Sequence, residues 1–304
     1  QLQAAHRGNP HYTGRFAPSP TGPLHFGSLV AAVASYADAR HHQGEWLLRI
    51  DDVDEARTVA GAADHIMKTL EAFGLEWDRA VSWQSRRKNH YLAIVDQLVA
   101  VGFAYPCGCS RSEIERLGRR GAAGMIYPGT CRAGLPVGRT NRSIRLRTPT
   151  RSIVVDDRFC GLIGQKLATE IGDFVIRRTD GFAAYQLAVV VDDQIEGITH
   201  VVRGADLLES TPRQIYLQEL LDYPNPQYGH LPLVLDAGGQ KLSKQDSAWP
   251  VCMEAPLPAL KAAWRFLGQA DLGEGCADVE AFWAAAIPAW STATIPTKSS
   301  HLIP

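Results

Sequence analysis

Apolar positions along the N-terminal part of the chain change period in a telling order. Tyr12 to Ala17 is a short apolar-alternating run that stops at Pro18-Ser19-Pro20-Thr21-Gly22-Pro23, the pattern of a strand entering a tight loop. Ser28 to Arg40 follows directly, alanine-rich and apolar at helical spacing, and predicts a helix. Trp46 to Ile50 is a compact apolar run that predicts a buried strand, and Asp51-Asp52-Val53-Asp54 comes after it. Strand, glycine-bearing loop, helix and strand make a βαβ unit, so the expectation is an α/β fold with a parallel sheet.

Asp64 to Phe73 and Tyr91 to Val101 carry the spacing of amphipathic helices. From Cys107 to about Thr150 the texture turns to Gly, Arg and Cys with few long apolar runs, which suggests an insertion held by something other than a large core. Strands are expected again at Ile153–Val155, Phe174–Ile176, Ala188–Val191 and Thr199–Val202, with a helix over Leu208 to Leu221. A short apolar stretch, Leu231 to Leu235, leads into the glycine-flanked loop Gly238-Gly239-Gln240-Lys241-Leu242-Ser243-Lys244. Leu257 to Leu267 and Val279 to Ala285 read as helices. No internal repeat or long low-complexity tract interrupts this order.

Composition adds bounds. The 304 residues suffice for about two domains, and 45% hydrophobic with 21% charged residues is ordinary for a globular chain. No apolar run approaches the ~20 residues that span a bilayer, and the first residues have no apolar signal-type segment, so a cytosolic protein is expected. The net charge of −1 argues against a general polyanion binder. Its distribution does not: between Arg111 and Arg151 stand ten arginines against only Glu113 and Glu115. Such a basic stretch suits a phosphate backbone, although a solvated arginine face has the same composition.

Four sets of residues carry candidate chemistry. The loop Pro18 to Ser28 sits between the first strand and helix, where glycines permit close approach, the helix N-terminus favours anions and His25 can donate to phosphate. It is not a Walker A loop, because no lysine follows Gly27. Lys241 and Lys244 on a glycine-flanked loop can close on a polyphosphate and neutralise developing charge. Cys107, Cys109 and Cys131 make three donors of a tetrahedral zinc site, with Tyr127 or a histidine as the fourth, in a segment that lacks a core. Finally, Arg15 and Arg203 adjoin strands and present forks suited to carboxylates, while Asp51 at a strand end could hold an ammonium group. Together these are cationic and anionic handles for an amino acid.

Arg15-Phe16-Ala17-Pro18-Ser19-Pro20-Thr21-Gly22-Pro23-Leu24-His25-Phe26-Gly27-Ser28 and Lys241-Leu242-Ser243-Lys244-Gln245 resemble the HIGH and KMSKS signatures of class I aminoacyl-tRNA synthetases. The form of the first motif, the segment Arg49 to Asp54, Ala184 to Asp193 and His200 to Leu208 resemble the glutamyl branch, in the expected order up to Gln245. With 59 residues after Gln245 there is no room for a large helical anticodon-binding region, and with Cys-x-Cys and Tyr-x3-Cys the chain is similar to the glutamyl-Q tRNA(Asp) synthetase family.

That resemblance implies a Rossmann-type parallel sheet split by a zinc-bearing insertion and followed by a small helical C-terminal region. The expected boundaries are 1–82 and 172–225 for the two catalytic halves, 83–171 for the insertion, and 226–304 for the lysine loop and helical remainder. It implies ATP-dependent, Mg²⁺-assisted activation of L-glutamate and transfer to the queuosine base in the anticodon of tRNA(Asp), by a cytoplasmic monomer. A truncated enzyme charging a tRNA 3′ end and a non-catalytic zinc-containing RNA-binding paralogue are the alternatives. Arg15, Ala17, Ser19, Asp51, Tyr185 and Arg203 would line the glutamate pocket. His25, Gly27 and Lys244 would serve ATP, with Lys241 beside them in catalysis, and Cys107, Cys109, Tyr127 and Cys131 would bind zinc. Two positions depart from the family: Asp51 stands where Glu is usual, one methylene shorter, and Ser28 replaces the final histidine of HIGH, which is common in the glutamyl branch.

Overall fold

The computed structural model describes residues 11–121, 124–235, 251–273, 275–297 and 300–301. In chain order the elements are β1 (Thr13–Phe16), α1 (Phe26–His41), β2 (Glu45–Ile50), α2 (Ala62–Ala72), β3 (Asp78–Trp83), α3 (Lys88–Ala100) and β4 (Ala104–Cys107). Then come α4 (Arg111–Leu117), β5 (Arg119–Gly121), β6 (Gly124–Ile126), β7 (Ser143–Leu146), β8 (Ile153–Asp157), β9 (Gly161–Gln165), α5 (Leu167–Glu170) and β10 (Phe174–Arg177). The rest are α6 (Tyr185–Glu196), β11 (His200–Gly204), α7 (Thr211–Leu220), β12 (Gln227–Leu231), β13 (Val234–Leu235), α8 (Pro256–Phe266), α9 (Val279–Ala289) and β14 (Ser300–His301).

The expected parallel sheet is present in two pieces. β1, β2 and β3 pair in parallel, as do β11 and β12. The pieces meet where Thr199 N donates to Thr13 O at 2.9 Å and Thr13 N donates to the Thr199 hydroxyl at 2.9 Å, so β11 starts alongside β1. All four residues of β1 are buried, as a central parallel strand covered on both faces requires. Strand order reverses at β1/β11, and a ligand crevice is expected beyond the carboxyl ends of the strands there. Arg15, Asp51 and Arg203 stand at those ends.

Helix α1 is buried almost all round because β-strands lie on one side and α8 and α9 on the other. Trp264, Phe282, Trp283 and Trp290 of the C-terminal region join Leu29, Val33 and Trp46 in one core.

Two expectations are corrected. Ala188–Val191 is not a strand but the middle of α6. Three consecutive valines favour a strand locally, but in the helix Leu187, Ala188, Val190 and Val191 are buried against α3 and the strands β7 and β10. Gly197, left-handed at φ 69°, ends the helix. Among the described residues between Cys107 and Thr150, Ile144 and Leu146 join a large core, and the segment gains the rest of that core from its neighbours. β7 pairs antiparallel with β4 and with β10, which lies past the expected boundary at 171, and Ala104, Ile144, Leu146, Phe174 and Ile176 pack this sheet on α3 and α6. Among the described residues no helix is long and apolar enough to cross a membrane.

Candidate active site and cysteine cluster

A cavity of about 590 Å³ opens at the strand ends, within the range of small-molecule sites. Arg15, Ala17, Ser19, His25, Gly27, Asp51, Tyr185 and Arg203 all line it. Lys241 and Lys244 lie outside the described residues.

His25 caps α1: its Nδ1 accepts from Ser28 N at 3.3 Å, and Nε2 lies 3.0 Å from the Ser28 hydroxyl. A Cβ on Gly27 would sit 3.2 Å from the His25 ring, so the glycine lets the imidazole fold back over the helix start.

Arg15 is buried and bound edge-on by Asp193 of α6, Nε to Oδ1 at 3.0 Å and Nη2 to Oδ2 at 3.2 Å. Asp193 is therefore a support that the sequence did not announce. Burial alone would push its carboxyl up, but Arg15 and Arg49 hold it below the usual carboxylate range. Arg49, fully buried, donates to Asp51 Oδ1 at 2.8 Å through Nε, and through Nη1 to Asp193 at 2.8 Å and Glu196 at 2.9 Å. Arg87 closes the cluster on Asp192 and Glu196, both at 2.8 Å, and Tyr91 donates to Asp192 at 2.6 Å. Asp192, Asp193 and Glu196 share one face of α6, so a single helix delivers three carboxylates to the arginines. Asp51 is the least compensated of these carboxylates: burial pushes it up to about 7, with Arg49 opposing and Asp192 adding to the rise.

Arg203 is held from two sides. Its Nε donates to His230 Nε2 at 3.1 Å, and its Nη2 donates to the Thr211 hydroxyl at 2.9 Å and to Gln214 Oε1 at 2.8 Å. Its Nη1 is buried with no partner among the described residues. Such an orphaned guanidinium nitrogen in a cavity wall fits an anionic ligand.

Cys107, Cys109 and Cys131 gather away from this cavity, their sulfurs all within 4.8 Å of one another and all buried. The Tyr127 hydroxyl is 3.4 Å from Cys107 Sγ and 3.6 Å from Cys109 Sγ. Arg145 stacks over the Tyr127 ring at 3.9 Å and donates to Cys107 Sγ at 3.3 Å. Burial opposes ionisation of Cys107, but Tyr127 and Arg145 bring the thiol down to about 7. Three sulfurs and a phenol converging on one point, with arginines to offset thiolate charge, are a donor set that fits a tetrahedral metal.

The expected basic stretch divides. Arg132, Arg139 and Arg151 are committed to Asp173, Glu113 and Glu219, and Arg145 is buried. Arg111, Arg116, Arg119, Arg120 and Arg142 remain exposed.

A parallel sheet with a crevice at its switch point thus carries a set of charged handles and an antiparallel sheet beside it, an arrangement in keeping with the class I aminoacyl-tRNA synthetase catalytic domain that the chain matches. Residues 12–255 match the family of tRNA synthetases class I (E and Q), catalytic domain. The chain is 56% identical over 285 residues to the glutamyl-Q tRNA(Asp) synthetase of Burkholderia mallei, covering 92% of this chain and 96% of that one. To the glutamyl-Q tRNA(Asp) synthetase of Dechloromonas aromatica it is 52% identical over 302 residues, covering 97% and 99%. The chain belongs to the glutamyl-Q tRNA(Asp) synthetase family. Among solved structures it is similar to a glutamate tRNA ligase from Elizabethkingia meningosepticum in complex with its amino acid, at 27% identity and TM-score 0.77, covering 96% of this chain and 67% of that one. It is also similar to the glutamate-tRNA synthetase of Elizabethkingia anophelis, at 26% identity and TM-score 0.79, covering 96% and 68%.

Proposed function

We propose that this protein activates L-glutamate with ATP and transfers it to the queuosine base in the anticodon of tRNA(Asp), in the cytoplasm. The observation that carries the activation step is the buried Nη1 of Arg203, unpartnered among the described residues, in the same cavity as Asp51. The guanidinium receives a carboxylate of the substrate, and Asp51 receives its ammonium group. Arg15, fixed by Asp193, adds positive potential, and Ala17, Ser19 and Tyr185 complete the wall. The acceptor is supported by the 56% identity to a relative named for tRNA(Asp), against 27% to a glutamate tRNA ligase.

The substrate α-carboxylate attacks the α-phosphate of ATP, giving glutamyl-adenylate and releasing pyrophosphate. A hydroxyl of the acceptor then attacks the mixed anhydride, and AMP leaves. No side chain forms a covalent bond; the residues position the reactants and offset charge. His25 at the start of α1, with Gly27, lies where the nucleotide phosphates meet the helix N-terminus, and Lys241 and Lys244 offset the charge on the phosphates. Mg²⁺ accompanies ATP and supplies further charge neutralisation. A zinc ion held by Cys107, Cys109, Tyr127 and Cys131 staples the segment between β4 and β7, whose exposed arginines meet the RNA.

Glutamate-dependent ATP–pyrophosphate exchange in the absence of tRNA tests the first step. Labelled glutamate offered to queuosine-containing tRNA(Asp) and to tRNA(Glu) tests the second. The expected result is exchange without RNA and labelling of tRNA(Asp) alone. Absence of exchange, or labelling of a tRNA(Glu) 3′ end with tRNA(Asp) untouched, overturns the reading.

A further inference from the structure

Arg203 must present one nitrogen to the cavity, and the way its other nitrogens are tied goes beyond the pocket itself. An arginine Nε–H can only donate. His230 Nε2, at 3.1 Å from it, must therefore offer a lone pair, and the proton of a neutral imidazole must sit on Nδ1. Nδ1 faces Asp157 Oδ2 at 2.5 Å, a carboxylate oxygen that can only accept. Asp157 is itself pinned. Its Oδ1 receives the backbone N–H groups of Phe159 at 3.0 Å, Cys160 at 2.9 Å and His230 at 3.1 Å. His230 and Asp157 are both buried, and the Tyr228 ring stacks near the imidazole at 6.1 Å between centroids.

We propose that Asp157 and His230 are positioning residues for substrate recognition: the pinned carboxylate fixes the imidazole tautomer, and the tautomer holds Arg203 with its Nη1 turned to a glutamate carboxylate. The opposite tautomer would set one N–H against another and drive the guanidinium off its place. Thr211 and Gln214 fix the Nη2 edge, so the histidine decides whether the fork stays in its plane. The Thr211 hydroxyl, which also lies 3.1 Å from His230 Nε2, does not alter this, because it can donate to that lone pair or to Leu207 O at 3.2 Å. Burial and the neighbouring Arg203 keep the imidazole below its ordinary pKa and hence neutral, while the hydrogen bond from His230 outweighs enough of the burial effect to hold Asp157 ionised. The relay joins β8, which follows the arginine-rich segment, to β12 and β11 of the catalytic sheet. It rests on reading the cavity as a glutamate site.

The test has two arms. In wild-type protein labelled with ¹⁵N-histidine, NMR should show one buried histidine as the Nδ1–H tautomer near neutral pH, assigned by its loss in His230→Asn. An Nε2–H or doubly protonated His230 overturns the relay whatever the enzyme's activity. In ATP–pyrophosphate exchange, His230→Asn keeps a group near Asp157 but removes the acceptor for Arg203. It should raise the glutamate KM about tenfold or more, the order of one hydrogen bond to a charged group, with ATP KM and kcat within about twofold. His230→Gln, whose amide oxygen can reach Arg203, should recover most of the loss. Unchanged glutamate KM in His230→Asn, or an equal rise for ATP, overturns the assignment. Absence of wild-type exchange would instead remove the glutamate reading, and the tautomer would still be decided by NMR.

Discussion

Asp193 grips Arg15 in a two-point pair across 178 positions of sequence, tying the first strand of the sheet to α6. Both side chains are buried, at 6% and 4% exposure, so neither can turn to water if the other is lost. Asp193→Ala should cost about 3–5 kcal/mol in urea unfolding, because it strands Arg15 and weakens the hold on Arg49. Asp193→Asn, which keeps the shape, should cost less. In any Asp193 variant that folds, glutamate KM should rise. An Asp193→Ala protein as stable as wild type would show that the pair is not holding β1 to α6.

Asp51 gives a pH dependence. The buried cluster holds three guanidiniums, Arg15, Arg49 and Arg87, against four carboxylates, Asp51, Asp192, Asp193 and Glu196. The carboxylates outnumber the guanidiniums by one, and Asp51, which shares Arg49 with Asp193 and Glu196, is the one that rises to about 7. A substrate ammonium supplies the missing charge. Glutamate binds the ionised form, so glutamate KM should fall as pH rises through about 7 and level off above it. Stability of the unliganded protein runs the other way. The folded value lies above the unfolded one, so this group's stabilising effect is full below about 4 and fades as pH rises through about 7. Asp51→Asn should therefore melt higher than wild type at pH 8 while binding glutamate more weakly. A variant that melts lower at pH 8 would contradict the charge count.

These two cases show what the sequence made legible. Arg15, Asp51 and Arg203 were readable because a residue at the end of an apolar run in a βαβ pattern falls at the mouth of the sheet, and the cavity does gather them. Their supports were not. Asp192 and Asp193 follow three valines, and as a strand their side chains would point to opposite faces; only the helical turn aims both, with Glu196, at the arginines. Asp157 and His230 lie 73 residues apart, with no local pattern to pair them. The cysteines and Tyr127 were readable as a cluster because their spacing is short. The core of the insertion was not, since β4, β7 and β10 each contribute only a few apolar residues and complete one another across the sheet.

Lys244 belongs to the loop expected to close on ATP. Lys244→Ala should lower ATP–pyrophosphate exchange about a hundredfold, the order of one lost charge-stabilising group, with little change in melting temperature. Undiminished exchange would take Lys244 out of the reaction.

Metal content tests the cysteine cluster. Purified protein should carry about one equivalent of zinc. None of its four donors lines the cavity. Stripping the metal, or Cys131→Ser, should expose the segment between β4 and β7 to proteolysis and reduce transfer to tRNA, while exchange without RNA persists. A metal-free protein with that segment fully protected would refute the site.

Asp38 tests whether the C-terminal region is part of the folding unit. This fully buried carboxylate accepts from Arg158 at 2.6 and 3.1 Å, from Trp290 Nε1 at 3.0 Å and from the Tyr12 hydroxyl. It thus joins α1 to the residue before β1, to the turn after β8 and to the chain beyond α9. Burial alone would raise its carboxyl, but these donors hold it below the usual range. A lowered folded value means that its stabilisation is present above the unfolded value of about 4 and is lost as pH falls through the folded one. Asp38→Ala should cost about 3–5 kcal/mol by leaving Arg158 without its counter-charge. Trp290→Phe removes one donor from a carboxylate that keeps the others and should cost about 1–2 kcal/mol. If the C-terminal helices fold with the sheet as one unit, both variants will shift a single urea transition followed by tryptophan fluorescence and by circular dichroism alike. A Trp290→Phe protein with a separate early transition would show that α8 and α9 unfold on their own.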